Sequence, residues 1–237
     1  MKLAQLLFTQ GFGTRRECDA LLLSEQVTIE STVRDDPDHE VDPEGLRFFV
    51  QGNAWTYRQC ALLVLNKPAG YECSQKPKHH LSVYALLPPP LRRRGVQAIG
   101  RLDEDTTGVL LFTDDGTLIH RLTSPKRHVA KIYDVRCKHP VDTAQIEKLL
   151  RGVLLHDDNE TVRAAACEAV GADSMRLTLV EGKYHQVKRM VAAAGNRVEA
   201  LHRSEFGGVG VDNLATGSWR WLSTAEEEAL QEKTGRR

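Results

Sequence analysis

The stretch GRLDEDTTGVLLFTDDG, residues 100–116, places a polar loop directly before a buried strand. Residues 109–113 form an apolar and β-branched run of the buried-strand type, and Asp114-Asp115-Gly116 ends this run in a turn. The small and hydroxyl residues that follow Asp103 let the sugar or phosphate of a ligand approach closely. The pattern therefore predicts a ligand-binding loop, although a simple capped turn has the same composition.

The segments on either side of this loop alternate irregularly between strand and helix patterns. Strands are predicted from β-branched content and alternation at residues 27–29, 48–50, 62–65, 109–113, 129–137, 162–170, 175–180 and 198–203. Helices are predicted from apolar spacing and capping residues at residues 3–10, 14–22, 118–122, 142–150, 184–194 and 224–232. Because strands dominate without a regular strand–helix–strand rhythm, the predicted fold class is α+β.

Two domains are predicted from a change in composition near Arg58. Residues 51–59 are polar and linker-like, and residues 88–94 form a further irregular stretch. Residues 1–58 hold six Lys and Arg against ten Asp and Glu, whereas residues 59–237 hold 26 against 22. We therefore expect a small acidic domain at 1–58 and a larger domain at 59–237.

The composition is that of an ordinary globular protein. Apolar residues make up 41% of the 237 residues and charged residues 27%, and no apolar run approaches the roughly 18 residues that a membrane span needs. The five cysteines are odd in number and include no Cys-x-x-Cys, which argues against a disulfide framework and a zinc ribbon. The amino terminus has no signal-peptide pattern, so we expect a cytoplasmic protein with no membrane partner.

Several motifs that would identify a nucleotide-binding or metal enzyme are absent from the sequence. There is no P-loop, no Gly-x-Ser-x-Gly, no His-Glu-x-x-His and no zinc-deaminase pattern. Residues 207–210, Gly-Gly-Val-Gly, open no helix pattern of the kind that a dinucleotide-binding motif requires. The adjacent His79 and His80 fit a solvated loop better than a metal site. No cofactor or metal is therefore expected.

Two basic clusters accompany the loop that carries Asp103. The first is Lys126-Arg127-His128, and the second runs from Lys183 to Arg189, where helical spacing would bring Tyr184 and Lys188 onto one face. Either cluster alone is equally compatible with a solvated surface. Together, the clusters and the carboxylate favour an anionic substrate whose reacting centre lies near Asp103.

The loop and strand at residues 100–116 resemble the catalytic motif of the pseudouridine synthases, which isomerise uridine in RNA. Further matches to the motifs of that family follow in order along the chain, at residues 65–70, 131–133, 181–190 and 201–207. The resemblance covers about residues 60–222 and is specific as a set.

The amino-acid sequences of three segments resemble those of the Rsu type of this family, which modifies small-subunit ribosomal RNA. These segments are Tyr71-Glu72-Cys73-Ser74, Gly152 to His156, and Tyr184 to Met190. Large-subunit enzymes are near relatives and remain an alternative. The resemblance implies the pseudouridine synthase fold, with a mixed and mainly antiparallel sheet. It also implies a monomeric enzyme whose partner is ribosomal RNA, either free or within a partly assembled small subunit.

The resemblance also implies roles for individual residues. Asp103 would attack C1′ of the uridine or remove a C2′ proton, and Lys188 would keep Asp103 ionised once the closed pocket excludes water. Tyr133, on the same strand face as Lys131, would stack on the flipped uracil or handle its C5 proton. The expected RNA-contacting residues are Arg101, Lys126, Arg127, Lys131 and Arg189.

Residues 1–58 resemble the small domain named after ribosomal protein S4, which often precedes these enzymes. Thr14-Arg15-Arg16-Glu17 matches its start, but the match ends after Val27. Six acids at residues 35–44 would repel phosphate and oppose RNA binding through this face. Two other functions stay open: a catalytically inactive RNA-binding assembly protein of the same fold, and a hydrolase with Asp103 as nucleophile. The hydrolase would lack a second carboxylate opposite Asp103.

Overall fold

The computed structural model describes residues 1–155 and 159–233. The α-helices in these residues are α1 (Leu3–Thr9), α2 (Arg15–Leu23), α3 (Pro89–Arg93), α4 (Gly116–Thr123), α5 (Thr143–Arg151), α6 (Gln186–Ala193) and α7 (Thr224–Lys233). The strands are β1 (Val27–Ile29), β2 (Thr32–Val33), β3 (Arg47–Val50), β4 (Asn53–Thr56), β5 (Leu62–Lys67), β6 (Tyr71–Glu72), β7 (Leu81–Ser82), β8 (Gln97–Ile99), β9 (Thr107–Thr113), β10 (Lys131–Cys137), β11 (Val153–Leu155), β12 (Glu160–Val162), β13 (Ala166–Ala169), β14 (Ser174–Leu179), β15 (Val198–Phe206), β16 (Val209–Gly210) and β17 (Trp219–Trp221). Two short 3₁₀ helices lie at Val83–Leu86 and Pro125–Arg127. None of the described helices is long and apolar enough to cross a membrane.

The chain forms two compact units. The first contains Met1–Ala61 together with Leu87–Gln97, and the second contains Leu62–Leu86 together with Ala98–Arg237. Side-chain contacts explain why the separate segment joins the first unit, since Arg94 donates to Gln10 Oε1 at 2.9 Å. The predicted division into residues 1–58 and 59–237 does not assign the segment Leu87–Gln97 to the first unit, and this division stays a prediction.

Two of the irregular segments expected from the sequence have regular structure instead. The predicted linker at 51–59 is wrong, because Asn53–Thr56 forms β4 and pairs with β3. An edge strand of this kind is half-exposed and therefore carries polar residues, which hid the strand pattern. The stretch at 88–94, which was predicted to be irregular, contains α3. Proline is favoured at the first positions of a helix, so the prolines here begin α3 instead of preventing it.

The first unit packs α1 and α2 with a four-stranded sheet of order β2-β1-β3-β4. The predicted capping box begins α2: Thr14 Oγ1 accepts from the Glu17 amide, and Glu17 Oε2 accepts from the Thr14 amide. The buried side chains of Leu6 and Phe48 belong to the core of this unit. This small core is separate from the one that supports the candidate site.

The second unit is built on a nine-stranded sheet. Seven of its strands follow the order β13-β14-β10-β15-β9-β5-β17, while β16 pairs with β15 and β8 pairs with β9. Strands β15 and β9 are parallel, whereas the other neighbours in this order are antiparallel. The expected α+β class, with a mixed and mainly antiparallel sheet, is therefore confirmed.

Apolar side chains from the centre of this sheet pack against two helices. Val64, Leu111 and Phe206 come from the three neighbouring strands β5, β9 and β15. They share one core with Leu122 of α4 and Leu230 of α7. Full burial of such a side chain stabilises the fold by about 1.5–3 kcal/mol. This core therefore anchors β9, the strand that follows the Asp103 loop.

Gly108 lets β9 approach β15 closely. Its backbone has φ +101°, and a Cβ atom there would lie only 2.2 Å from the carbonyl oxygen of Arg203. The parallel register pairs Arg203 with Gly108 and His202 with Thr107. Any larger residue at 108 would have to push these two strands apart. The glycine at the end of the polar loop thus fixes where that loop meets the sheet.

Candidate active site

A buried lysine at the end of β5 holds the Asp103 loop in place. Lys67 is fully buried, and its ammonium donates to the carbonyls of Pro68, Glu104 and Thr106 at 3.0, 3.1 and 2.8 Å. Burial lowers the pKa of Lys67, although nearby acidic groups oppose this effect. Three charge-assisted hydrogen bonds to backbone oxygens leave the loop little freedom. Lys67 therefore acts as a positioning residue for the loop.

A buried arginine of β15 holds the two ends of the same segment. Arg203 Nε donates to the Val109 carbonyl at 2.8 Å, and one terminal nitrogen donates to the Gly100 carbonyl at 2.9 Å. The guanidinium also lies over the ring of Phe206, 5.2 Å from its centroid. The Asp103 loop is thus anchored at its start by Arg203 and in its second half by Lys67.

The carboxylate of Asp103 contacts a different donor through each oxygen. His185 Nε2 lies 3.1 Å from Oδ1, and Lys188 Nζ lies 3.0 Å from Oδ2. The Asp103 side chain is 26% exposed, so it is partly desolvated while one side remains open. The expected pairing of Asp103 with Lys188 is present in the structure, and the contact with His185 adds a second donor.

Lys188 is shared between two carboxylates. Its ammonium lies 2.7 and 2.9 Å from the two oxygens of Asp105, closer than to Asp103. Desolvation lowers the pKa of Lys188, but its hydrogen bonds to Asp105 and Asp103 outweigh this, so the pKa is raised. Desolvation raises the pKa of Asp105, but the hydrogen bond and the charge of Lys188 outweigh this effect. The pKa of Asp105 is therefore lowered. The ion pair between Lys188 and Asp105 was not predicted from the sequence.

Asp103 faces a cavity of about 740 Å³, a size that accommodates a nucleotide-sized ligand. Tyr133 and Lys131, two residues apart on β10, both line it, as their shared strand face predicts. Tyr133 is buried, with only 8% of its surface exposed. The predicted catalytic residues Asp103, Tyr133 and Lys188 therefore lie at one cavity, although their roles stay predictions.

Lys131 lies deep in the cavity wall. It is 6% exposed, donates to the Val129 carbonyl at 3.0 Å and lies over Phe206, 5.1 Å from the ring centroid. Desolvation and the charge of Arg203 lower the pKa of Lys131 to about 8. An amine with that pKa is largely charged at neutral pH and adds positive potential beneath the cavity. Its predicted contact with RNA would require a group that reaches this depth.

The other predicted RNA-contacting residues lie at different distances from the cavity. Arg101 is exposed and lines the cavity. Lys126 and Arg127 are exposed on the 3₁₀ helix Pro125–Arg127, outside the lining residues. Arg189 lies on α6, donates to the Tyr184 carbonyl at 3.2 Å and is not part of the lining. A substrate that contacts all of them must therefore extend beyond the cavity, as RNA does.

Helix α6 begins later than the sequence predicts. It starts at Gln186, and the preceding His185 has the left-handed backbone conformation (φ 47°, ψ 33°). The side chain of Gln186 accepts from the Lys183 amide at 2.9 Å and donates to Glu181 at 2.7 Å, which stabilises a turn before the helix. The expected helical face shared by Tyr184 and Lys188 is therefore wrong, because Tyr184 belongs to this turn.

The rim of the cavity includes a loop held by a carboxylate. Glu72 accepts from three successive backbone amides, those of Lys78, His79 and His80, at 3.1, 2.8 and 2.9 Å. These hydrogen bonds, that of the His79 amide above all, lower the pKa of Glu72. The loop places all three side chains on the exposed rim, where sequence analysis expected a solvated loop.

Comparison with known proteins identifies the class to which this fold and site belong. Residues 61–193 match the family described as RNA pseudouridylate synthase. The chain is 33% identical to a solved structure titled "Crystal structure of pseudouridylate synthase", with a TM-score of 0.69 over 97% of this chain and 99% of that one. The chain belongs to the RNA pseudouridylate synthase family and is an enzyme, a pseudouridine synthase that acts on RNA.

Curated relatives place it more narrowly within this family. It is 38% identical to "Uncharacterized RNA pseudouridine synthase YtzG" of Bacillus subtilis, over 98% of this chain and 99% of the relative. It is 44% identical to "Ribosomal small subunit pseudouridine synthase A" of Escherichia coli K12, over 69% and 71%, and 36% identical to that of Vibrio vulnificus, over 97% and 99%. The resemblance to the Rsu type is thereby confirmed. His156, the last residue of the matching segment Gly152 to His156, lies outside the described residues.

Four residues that shape the site were not predicted from the sequence: Lys67, Asp105, His185 and Arg203. Each lay inside a matched motif, yet nothing in the local pattern indicated its partner. Lys67 and Arg203 reach backbone carbonyls rather than charged groups. Both side chains are fully buried, and a buried cation must find oxygen partners, but only the structure shows this burial.

Proposed function

We propose that this enzyme isomerises a uridine of small-subunit (16S) ribosomal RNA to pseudouridine, with Asp103 as the reacting carboxylate. The observation that carries the proposal is the placement of Asp103 between Lys188 and His185, at the wall of a cavity that also contains Tyr133. The names of the Escherichia coli and Vibrio vulnificus relatives support the choice of small-subunit RNA.

The reaction rearranges bonds within one nucleotide. The N1–C1′ bond breaks, the uracil rotates, a C5–C1′ bond forms, C5 loses its proton and N1 gains one. Because no group is added and no electrons are exchanged with a second molecule, the isomerisation requires no redox cofactor. Asp103 either attacks C1′ or removes a C2′ proton, and both roles need its ionised form.

Positive charge lies close to the carboxylate of Asp103. Burial of a carboxylate disfavours the charge, and an adjacent cation offsets this cost. Lys188 is the cation in contact with Asp103, and Lys131 and Arg203 add positive charge at the cavity wall. The same positive potential attracts the phosphate backbone of RNA.

The target uridine must leave its stack to reach Asp103. Flipping costs a few kcal/mol, which stacking and hydrogen bonds in the cavity offset. Tyr133 stacks on the uracil or handles the C5 proton, and its position in the cavity lining supports this role. Phosphate contacts through Arg101, Lys126, Arg127 and Arg189 hold the flanking RNA, whereas Lys131 contacts the nucleotide that enters the cavity.

The proposal extends to the context of the enzyme. Residues 1–58 form an S4-like domain whose acidic face limits its contact with RNA, and residues 59–237 form the catalytic domain. The enzyme acts as a cytoplasmic monomer on ribosomal RNA, either free or in a partly assembled small subunit.

Release of tritium from RNA labelled at uridine C5 tests the reaction directly. We expect release from transcribed 16S RNA with the native enzyme and none with Asp103→Asn. Release only from 23S RNA would favour a large-subunit enzyme. Binding of 16S RNA without release would favour an RNA-binding assembly protein. Cleavage of RNA or a ribonucleoside in place of isomerisation would favour a hydrolase.

A further inference from the structure

An exposed aromatic ring and an imidazole form a stacked pair at the mouth of the cavity. The rings of Tyr184 and His185 are 3.8 Å apart between centroids and inclined by 22°. Tyr184 is 77% exposed, which is unusual for an aromatic side chain, and both residues line the cavity. His185 of this pair contacts Asp103, and the proposed function gives Tyr184 no role.

The backbone before α6 is arranged to present this pair. His185 has φ 47°, a left-handed conformation that is uncommon outside glycine and costs about 1–3 kcal/mol. The hydrogen bonds of the Gln186 side chain to the Lys183 amide and to Glu181 stabilise the turn. Because the following helix holds Lys188, the turn and the helix together supply both donors to Asp103.

His185 is held on two sides. Its ring face contacts Tyr184, and its Nε2 lies 3.1 Å from Asp103 Oδ1. With Asp103 ionised, Nε2 carries the proton and donates it in a hydrogen bond. The Lys188 ammonium contacts Oδ2, whereas the His185 ring contacts Oδ1.

The high exposure of Tyr184 shows that much of its ring is open to solvent. Proteins recognise unpaired RNA by stacking its bases on aromatic side chains, and every base offers such a face. When a uridine leaves its stack, its sequence neighbours lose a stacking partner as well. An exposed ring at the cavity edge is therefore open to stacking by a neighbouring base while the uridine occupies the cavity.

We propose that Tyr184 is a stacking platform for an unpaired base next to the target uridine, and that His185 joins this platform to Asp103 as a positioning residue. This inference rests on the proposed role of Asp103. The ligand class is a single-stranded nucleobase, without preference for one base. Seating of the RNA on Tyr184 fixes the His185 ring, which in turn holds Asp103 Oδ1 for reaction.

Single-turnover tritium release from 16S RNA separates the two parts of the proposal. Varying the enzyme concentration gives the maximal rate and the concentration at half-maximal rate. Tyr184→Ala should raise the half-maximal concentration about 5- to 150-fold, the range for loss of one base–aromatic stack. Tyr184→Phe keeps the ring and should remain within about threefold. Val170→Ala trims an exposed apolar side chain outside the cavity and should change neither value.

The role of His185 is tested by a pair of variants that differ in reach. His185→Asn tolerates the left-handed backbone, but its amide is too short to replace Nε2. It should lower the maximal rate about 10- to 150-fold, as for loss of a hydrogen bond to a charged group, with little effect on the half-maximal concentration. His185→Gln restores a donor near the Nε2 position and should recover most of the rate. Melting temperatures of all variants control for folding.

The outcomes distinguish this inference from the proposed function. If Asp103→Asn keeps its activity, the role of Asp103 fails. If Asp103→Asn is inactive while Tyr184→Ala and His185→Asn behave like the native enzyme, only the stacking platform and the positioning role fail. Equal weakening by Tyr184→Phe and Tyr184→Ala would assign the effect to the hydroxyl and overturn the stacking. Equal loss of rate in His185→Gln and His185→Asn would overturn the positioning role.

Discussion

Replacing Lys188 with methionine should shift the pH dependence of the reaction. The substitution removes the ammonium that lies 3.0 Å from Asp103 Oδ2 and keeps most of the packing of the aliphatic stem. It also leaves Asp105 without its partner, so two carboxylates of the same loop lose their shared cation. We therefore expect the reaction to need a higher pH once this cation is removed.

The geometry limits the size of this shift. Two unit charges 3.0 Å apart interact by about 1.4 kcal/mol in bulk water and about 5.5 kcal/mol at an effective dielectric constant of 20. Lys188 and Asp103 are 28% and 26% exposed, so solvent screens the pair to a value between these limits. One pH unit corresponds to about 1.4 kcal/mol. We therefore expect the acidic limb of the pH–rate profile to move to higher pH by about 1–3 pH units.

The assay is the pH–rate profile of single-turnover tritium release at saturating enzyme. Lys188→Met should lose activity at low pH and recover part of it at high pH, whereas Lys188→Arg keeps the cation and should keep most of the activity. Lys78→Met removes a lysine from the exposed rim of the same cavity and serves as the control, with an unmoved limb. Asp105→Asn should not raise the limb, because Lys188 would then serve Asp103 alone.

An unmoved acidic limb in Lys188→Met would refute the electrostatic argument. If the variant instead weakens RNA binding and makes that binding less dependent on salt, Lys188 contacts phosphate. Arg189 would then be the next residue to test as the cationic partner.

Further predictions concern the reacting carboxylate, the basic surface, the loop anchor and the acid stability of the fold. Asp103→Asn should abolish pseudouridine formation with RNA affinity nearly unchanged, and activity within about tenfold of native, against the 10²–10⁴-fold effect of acid–base groups, would contradict its role. The double variant Lys126→Ala, Arg127→Ala should reduce the slope of log affinity against log salt by up to about two, at about 0.7–0.9 per phosphate contact, whereas an equal slope would mean that both side chains are merely solvated. Lys67→Met leaves three carbonyls of the loop region without their donor and should lower the free energy of unfolding by at least about 2 kcal/mol in a urea titration; an unchanged midpoint would refute the anchoring role. A side-chain hydrogen bond from Arg220 lowers the pKa of Glu226 to about 2. Stability from this pair is therefore present above the ordinary pKa of glutamate and is lost as the pH falls towards 2. Glu226→Gln should then show a smaller drop in melting temperature between about pH 5 and pH 3 than the native protein, and an equal drop would argue against this contribution.

The elements that were predicted well are those with a strong local pattern. The alternation at 129–137 and the apolar run at 109–113 correspond to β10 and β9, and the capping residues Thr14 and Asp142 begin α2 and α5. Periodicity works there because each element buries one face or both faces within a few residues. It failed at β4, where an edge strand buries too little to show the pattern.

The start of α6 shows a different limit. Apolar spacing in its later turns extends the helix pattern backwards over Tyr184 and His185. The actual boundary depends on one buried glutamine, whose side chain bonds to Lys183 and Glu181 instead of facing solvent. Local propensity does not report such side-chain contacts with the backbone, so the stacked aromatic pair was not predicted.

The sequence by itself determined the family, the α+β class, the buried strand behind the Asp103 loop and the residues that carry charge near it. Only the tertiary structure decided that Lys188 and His185 meet the two oxygens of Asp103, and that Lys67 and Arg203 hold the loop. The physical reason is sequence separation. Local patterns report which face of an element is buried, whereas contacts across more than 80 residues, such as that of Asp103 with Lys188, depend on strand order. Here they depend on the parallel pairing of β9 with β15, which the missing side chain of Gly108 permits.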